Sequence, residues 1–93
     1  MTVENVELDA GVRDAIQEIV ADILEVDEDQ VGWNTHFWND LDADSMQAIA
    51  ILSALERRFR ITIDQSELPK MWDVQSTYQV VMDIRKAAGS DAS

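Results

Sequence analysis

The sequence predicts an all-α fold: a small four-helix bundle of three main helices and one short one, with a long loop between helices one and two. Three observations point there. Apolar residues recur at the three-to-four-residue spacing of a helical face in three separate stretches, the pattern that lets a helix bury one side. Only three Gly and one Pro interrupt 93 residues, so helix breakers are sparse. The one alternating stretch, Ile61-Thr62-Ile63, has no pairing partner elsewhere and is too short for a sheet, so it reads as an extended linker.

The first helix is expected over about residues 11 to 26, where Val12, Ile16, Ile19, Val20, Ile23 and Leu24 share a face between Arg13, Asp14, Gln17, Glu18 and Asp22. Asp27 to Ala43 follows as the long loop, with Val31, Trp33, Phe37 and Leu41 as apolar pins to the core. Parallel packing of the first two helices would require such a loop, because the chain must return along a full helix length. The second helix starts at Asp44-Ser45 and ends near Phe59, with Met46, Ile49, Leu52, Leu55 and Phe59 as its apolar stripe and Ile51 off it. Asp64-Gln65-Ser66-Glu67 offers a capping box for the short helix, which Pro69 should stop or restart. Val74, Tyr78, Val81 and Ile84 mark the last helix, and Ala88 to Ser93 reads as a frayed polar tail.

A chain of this length holds one domain, near the lower limit of what a single apolar core stabilises. Nineteen acidic residues against seven basic give a net charge of −12, which repels nucleic acid and anionic membrane surfaces. The same field attracts basic patches on other proteins, less so as salt rises. With no cysteine, any thiol chemistry must arrive on a prosthetic group. Met1 to Glu7 lacks the regions of a secretory signal, and the longest apolar run, Ala48 to Leu52, is too short to span a bilayer, so a cytoplasmic monomer is expected.

The most informative stretch is Leu41-Asp42-Ala43-Asp44-Ser45-Met46, which sets one serine at the head of an apolar helical run. Asp44 and Gln47 have the spacing of a capping box, so helix two should begin there. The free amides and partial positive charge of that end favour an anion, and a phosphodiester on the Ser45 hydroxyl would sit in a compatible field. These six residues alone leave two readings open, an ordinary first-turn serine and a modified one.

The surrounding positions resemble the acyl carrier protein family over roughly residues 12 to 87. Phe37, Asp40 and Leu41 precede the serine as in the family's Phe-x-x-Asp-Leu-Gly-x-Asp-Ser pattern, and Met46, Ile49, Leu52, Leu55, Glu56 and Phe59 follow with its helix-two spacing. Asp73-Val74 stands where the family has Thr-Val. The resemblance makes residues 1–93 one such domain, ordered over about 11–88 with a polar tail at 89–93. It implies that a phosphopantetheinyl transferase moves 4′-phosphopantetheine from coenzyme A to Ser45, with Asp44 as motif residue and helix cap. The protein would then carry acyl groups as thioesters to partner enzymes and catalyse nothing itself.

Two departures matter. Asp42 and Arg60 replace residues that are usually Gly in the family, and if the former position needs a positive φ, Asp is among the few side chains that tolerate it. Helix two has Gln47 and Ala50 where fatty acid carriers show acids, so acyl-loading and synthase partners with basic or apolar docking patches are expected to meet Met46, Gln47, Ala48 and Ile51, with packing on the short helix as the alternative for Ile51. A free-standing carrier for a polyketide or other specialised pathway is the first reading. A D-alanyl or other aminoacyl carrier is the alternative within the class, supported by Asp44-Ser45-Met46 and Lys70-Met71-Trp72-Asp73, and an unmodified helical adaptor the alternative outside it.

Other chemistries fit poorly. Asp27, Asp29 and Gly32 begin a calcium-loop pattern, but Trp38 stands where a bidentate Glu is required, and the cluster Asp40, Asp42 and Asp44 fails likewise with Ile51. His36, the one histidine, is nine residues from Ser45 with no Gly-x-Ser-x-Gly motif, which argues against a hydrolase. Trp33, Trp38 and Trp72 read as loop pins packed on the core, with a cargo lining as the alternative.

Overall fold

The computed structural model describes residues 9–92, with side chains through Ala87. Among them the chain forms α1 (Ala10–Leu24), a 3₁₀ turn (Glu28–Gln30), α2 (Ser45–Phe59), a 3₁₀ helix (Gln65–Lys70) and α3 (Val74–Ala92), with no strand. The all-helical expectation holds, and Ile61-Thr62-Ile63 is an extended link. Met1 to Leu8, on which the leader reading rests, and Ser93 of the tail lie outside the described residues. No helix in the described part is long and apolar enough to cross a membrane.

Asp9 caps α1 by accepting the Val12 N–H. The helix stops two residues before the expected 26 because Glu25 turns left-handed, at φ 59°, and the Val26 N–H reaches back to the Ala21 carbonyl. At the other end of the chain α3 continues through Ala88–Ala92, which the sequence read as tail.

On α2 the buried stripe is Ala48, Ile51, Leu52 and Leu55, while Ile49 is 43% exposed and Met46 80%. The expected stripe was built from residues three apart, and each such step rotates by about 60° relative to a full turn, so its early members swing out of the core. Ile51 belongs to the true 3.6-residue face.

The short helix is 3₁₀, with Pro69 inside it. Asp64 does cap it, accepting the Ser66 N–H at 2.9 Å, but the Glu67 carboxylate pairs with Lys70 at 3.3 Å instead of closing the expected box. Glu56 of α2 accepts the Ile63 N–H at 2.7 Å and so ties the extended link back to the helix it leaves.

The first two helices run in opposite senses, contrary to the parallel packing inferred from loop length. Glu18 in mid-α1 meets Arg58 at the end of α2, while Ile23 near the end of α1 shares a groove with Ala50 nearer the start of α2. The long loop is used differently. It doubles back along α1, where the Gln17 amide donates to the Glu28 and Val31 carbonyls at 2.8 and 2.9 Å. It then passes the head of α3: the Gln75 N–H donates to the Trp33 carbonyl, and the Phe37 N–H to the Trp72 carbonyl at 2.7 Å. Val31 and Phe37 are buried, and Trp33 and Leu41 pack against the core, as pins should.

Candidate functional site

Ser45 is the first residue of α2, and its side chain is exposed. Asp44 accepts the Gln47 N–H at 2.8 Å, and the Gln47 side-chain oxygen accepts the Asp44 N–H at 3.0 Å, so the capping box is formed in both directions. The Ala48 N–H donates to the Asp44 carbonyl at 2.9 Å, closing the first turn. The amides of Ser45 and Met46 have no acceptor within the helix and carry its partial positive charge outward.

The approach to this turn is held by the loop. Asp42 adopts φ 57°, the left-handed conformation that its short polar side chain tolerates. One residue on, the Ala43 N–H donates to the Phe37 carbonyl at 2.9 Å. Phe37 is itself 1% exposed and hydrogen-bonded to Trp72 ahead of α3. The hydroxyl of Ser45 thus stands at the rim of the bundle on a turn anchored to the buried core.

Chemically the site offers an outward hydroxyl and two free amides. Among the described hydrogen bonds none joins Ser45 to a base. His36 accepts the Asn39 N–H through Nδ1, and Asp40 accepts the His36 N–H, so this histidine shapes the loop. Among the described residues no three His, Asp or Glu side chains stand together as a metal site. A phosphodiester on Ser45 fits: the hydroxyl is accessible, the unpaired amides lie beside it, and the Asp44 carboxylate is turned onto Gln47.

The expected partner-contact residues separate. Met46 is fully presented, and Gln47 is half-buried and engaged in the cap. Ala48 and Ile51 are 5% and 2% exposed, which removes both from any contact surface. Ala50 is exposed as the sequence reading placed it, but Ile49, read as part of the buried stripe, is exposed as well; a helical wheel started from Leu55 would have put it outside. Of the tryptophans only Trp33 is a pin, edge-on to Tyr78 at 5.6 Å. Trp38 and Trp72 are 38% and 43% exposed, and Trp38 stacks on Phe37 from the solvent side.

Comparison with known proteins agrees with this geometry. The family model described as phosphopantetheine attachment site matches residues 14–86. Polyketide-8 synthase acyl carrier protein 1 of Streptomyces avermitilis is 50% identical over 76 residues, covering 82% of this chain and 90% of that protein. An acyl carrier protein of Petrotoga mobilis is 37% identical over 68 residues, covering 73% and 80%. A chain in the solved structure titled "The ishigamide ketosynthase/chain length factor" superposes with a TM-score of 0.65 at 42% identity, covering 77% of this chain and 90% of its own.

Proposed function

The chain belongs to the phosphopantetheine attachment site family, among the acyl carrier proteins, and from that premise we propose that Ser45 carries the group and that the protein serves polyketide assembly. The single observation that carries the assignment to Ser45 is its exposed hydroxyl at the head of a helix whose cap is already satisfied by Asp44 and Gln47. When bound, 4′-phosphopantetheine supplies the thiol that this cysteine-free chain lacks and holds an acyl group as a thioester. The protein's own residues present and orient. Asp44 and Gln47 fix the first turn, and the amides of Ser45 and Met46 favour the phosphodiester charge. The chain is a carrier and not a catalyst.

Polyketide assembly is favoured over the aminoacyl alternative by the 50% identity to a polyketide synthase carrier and by the structural match, at 42% identity, to a chain in the ishigamide ketosynthase/chain length factor structure. The partners proposed are a phosphopantetheinyl transferase and enzymes of the ketosynthase type. The test is intact mass after incubation with coenzyme A and a broad-specificity transferase. One phosphopantetheinyl group should be gained by the wild type and none by Ser45→Ala. A gain in the Ser45→Ala protein, or none in the wild type across several transferases, refutes the assignment and favours an unmodified adaptor.

A further inference from the structure

Among the described residues two polar side chains are buried, Asp73 and Thr77. Asp73 is satisfied, since its carboxylate accepts the Ser76 N–H at 2.7 Å and the Ser76 hydroxyl at 2.8 Å. Thr77 is not: it is 0% exposed and its hydroxyl has no hydrogen-bond partner. A helical threonine ordinarily turns its hydroxyl onto the carbonyl four residues back. Here that carbonyl belongs to Asp73, which already accepts the Thr77 N–H at 3.0 Å and has the Ser76 hydroxyl against it at 3.2 Å.

The face of α3 around Thr77 is otherwise apolar: Val74 and Val81, one turn before it and one turn after, are 1% and 0% exposed. A hydroxyl stranded in such an interior is costlier than the valine that would fill the same space. The position also lies close to the site. Trp72, just before α3, accepts the Phe37 N–H at 2.7 Å, and Phe37 accepts the Ala43 N–H at 2.9 Å, so the head of α3 and the turn that carries Ser45 stand at one end of the bundle. Thr77 is the fourth residue of α3, about 5 Å along its axis from the first.

We infer that Thr77 is a specificity residue for the carried chain, and that its hydroxyl donates to the keto oxygen of a 3-oxoacyl group held on Ser45. The inference rests on the proposed modification of Ser45 and names the class of acyl group that the modified protein favours. An acyl chain leaves water favourably only if the polar groups it takes with it find partners. A 3-oxo oxygen entering the apolar core lacks a donor and the Thr77 hydroxyl lacks an acceptor, so each removes the other's cost. A fully reduced chain would bury its methylenes there and leave the hydroxyl stranded. One atom thereby sets the direction of preference, toward a chain that keeps its oxygen, as polyketide chains do, and away from a saturated one.

The test loads full-length wild type, Thr77→Val and Thr77→Ser with 3-oxooctanoyl or octanoyl phosphopantetheine from the matching coenzyme A thioesters; intact mass confirms each product, with Ser45→Ala as the unloaded control. A hydrogen bond gained in the interior should make the 3-oxooctanoyl wild type melt roughly 4–8 °C above the octanoyl form. Thr77→Ser, which keeps the hydroxyl, should keep that gap. Thr77→Val should close or reverse it, whereas a mere change of packing would move both loaded forms together. NMR of the 3-oxooctanoyl wild type should show a slowly exchanging Thr77 hydroxyl proton and cross-relaxation between the Thr77 methyl and the C2 protons of the chain. No gap in the wild type, a gap that survives in Thr77→Val, or an unloaded Thr77→Val that melts below the unloaded wild type because water already satisfies the hydroxyl would each overturn the inference. Absence of any mass gain on the wild type would overturn the reading of Ser45 itself, and the inference with it.

Discussion

Replacing Asp44 by Ala or by Asn separates what its carboxylate does for the helix from what its charge does for recognition. The structure gives Asp44 one bond to the Gln47 N–H at 2.8 Å and one return bond from Gln47 at 3.0 Å. Losing an N-cap side chain costs about 1 kcal/mol, and releasing the return bond from its partner geometry adds about 0.5 kcal/mol. Asp44→Ala should therefore lose about 1.5 kcal/mol, a fall in Tm of about 6–12 °C for a domain of this size. Asp44→Asn keeps an acceptor aimed at the same amide and loses only the charge–dipole part, about 0.3–1 kcal/mol. If the cap is what the transferase needs, Asn should slow phosphopantetheinylation of Ser45 no more than about threefold to fivefold, and Ala should slow it further. Differential scanning calorimetry and time-resolved intact mass measure the two effects on the same samples. An Asn variant that melts near the wild type but is not modified would refute the reasoning, since the carboxylate charge itself would then be read. An Ala variant with an unchanged Tm would refute the energetic value given to the cap.

Arg60 closes α2 in the left-handed conformation at φ 56°, so Arg60→Gly should gain about 0.5–1 kcal/mol in urea unfolding, the relief of strain partly offset by glycine's unfolded-state entropy; Asp42→Gly at φ 57° should be nearly neutral because Asp tolerates that region. Thr77 is fully buried with a hydroxyl that has no partner, so Thr77→Val should raise stability by about 1 kcal/mol; a loss would mean the hydroxyl is satisfied. Glu56→Ala strands the Ile63 N–H and should cost about 2 kcal/mol, against less than about 1 kcal/mol for Glu56→Gln, as read by thermal unfolding. The Asp64 carboxyl is held below its ordinary value of 3.8 by the Ser66 backbone N–H first and the Ser66 side chain second. Its stabilising contribution is therefore present above pH 3.8 and lost as pH falls through the lower folded value; NMR titration should show Ser66→Ala recovering only part of the shift.

The parts of the fold legible in the sequence were those fixed by local chemistry. The start of α2 followed from Asp44 and Gln47 because a capping box is written within four residues. The positive φ at Asp42 was foreseen as a condition that Asp could meet. What lay beyond local reading was rotation and direction. Met46 and Ile49 are apolar and correctly spaced for a helix, yet which 3.6-residue face turns inward depends on what α1 and α3 bring to it, and the core chose Ala48 and Ile51. Loop length likewise carried no direction. The same residues between Asp27 and Ala43 could serve a parallel pair or, as found, an antiparallel one with a loop that detours past α3.

That detour explains how an exposed serine can sit on a firm support. A loop with few pins would leave the turn before α2 to fray, and a first turn has no intrahelical acceptors for its amides to hold it. Here a continuous path of backbone hydrogen bonds runs from Trp72 to Phe37 and from Phe37 to Ala43, and the cap completes it at Asp44. Phe37 is the element that burial makes expensive to move, being 1% exposed among α-helical side chains. The support reaches Ser45 from beneath, through groups that face the core, and leaves the outward side to the hydroxyl and to Met46 and Ile49. The turn under Ser45 is thus fixed through the core while its outward side stays open.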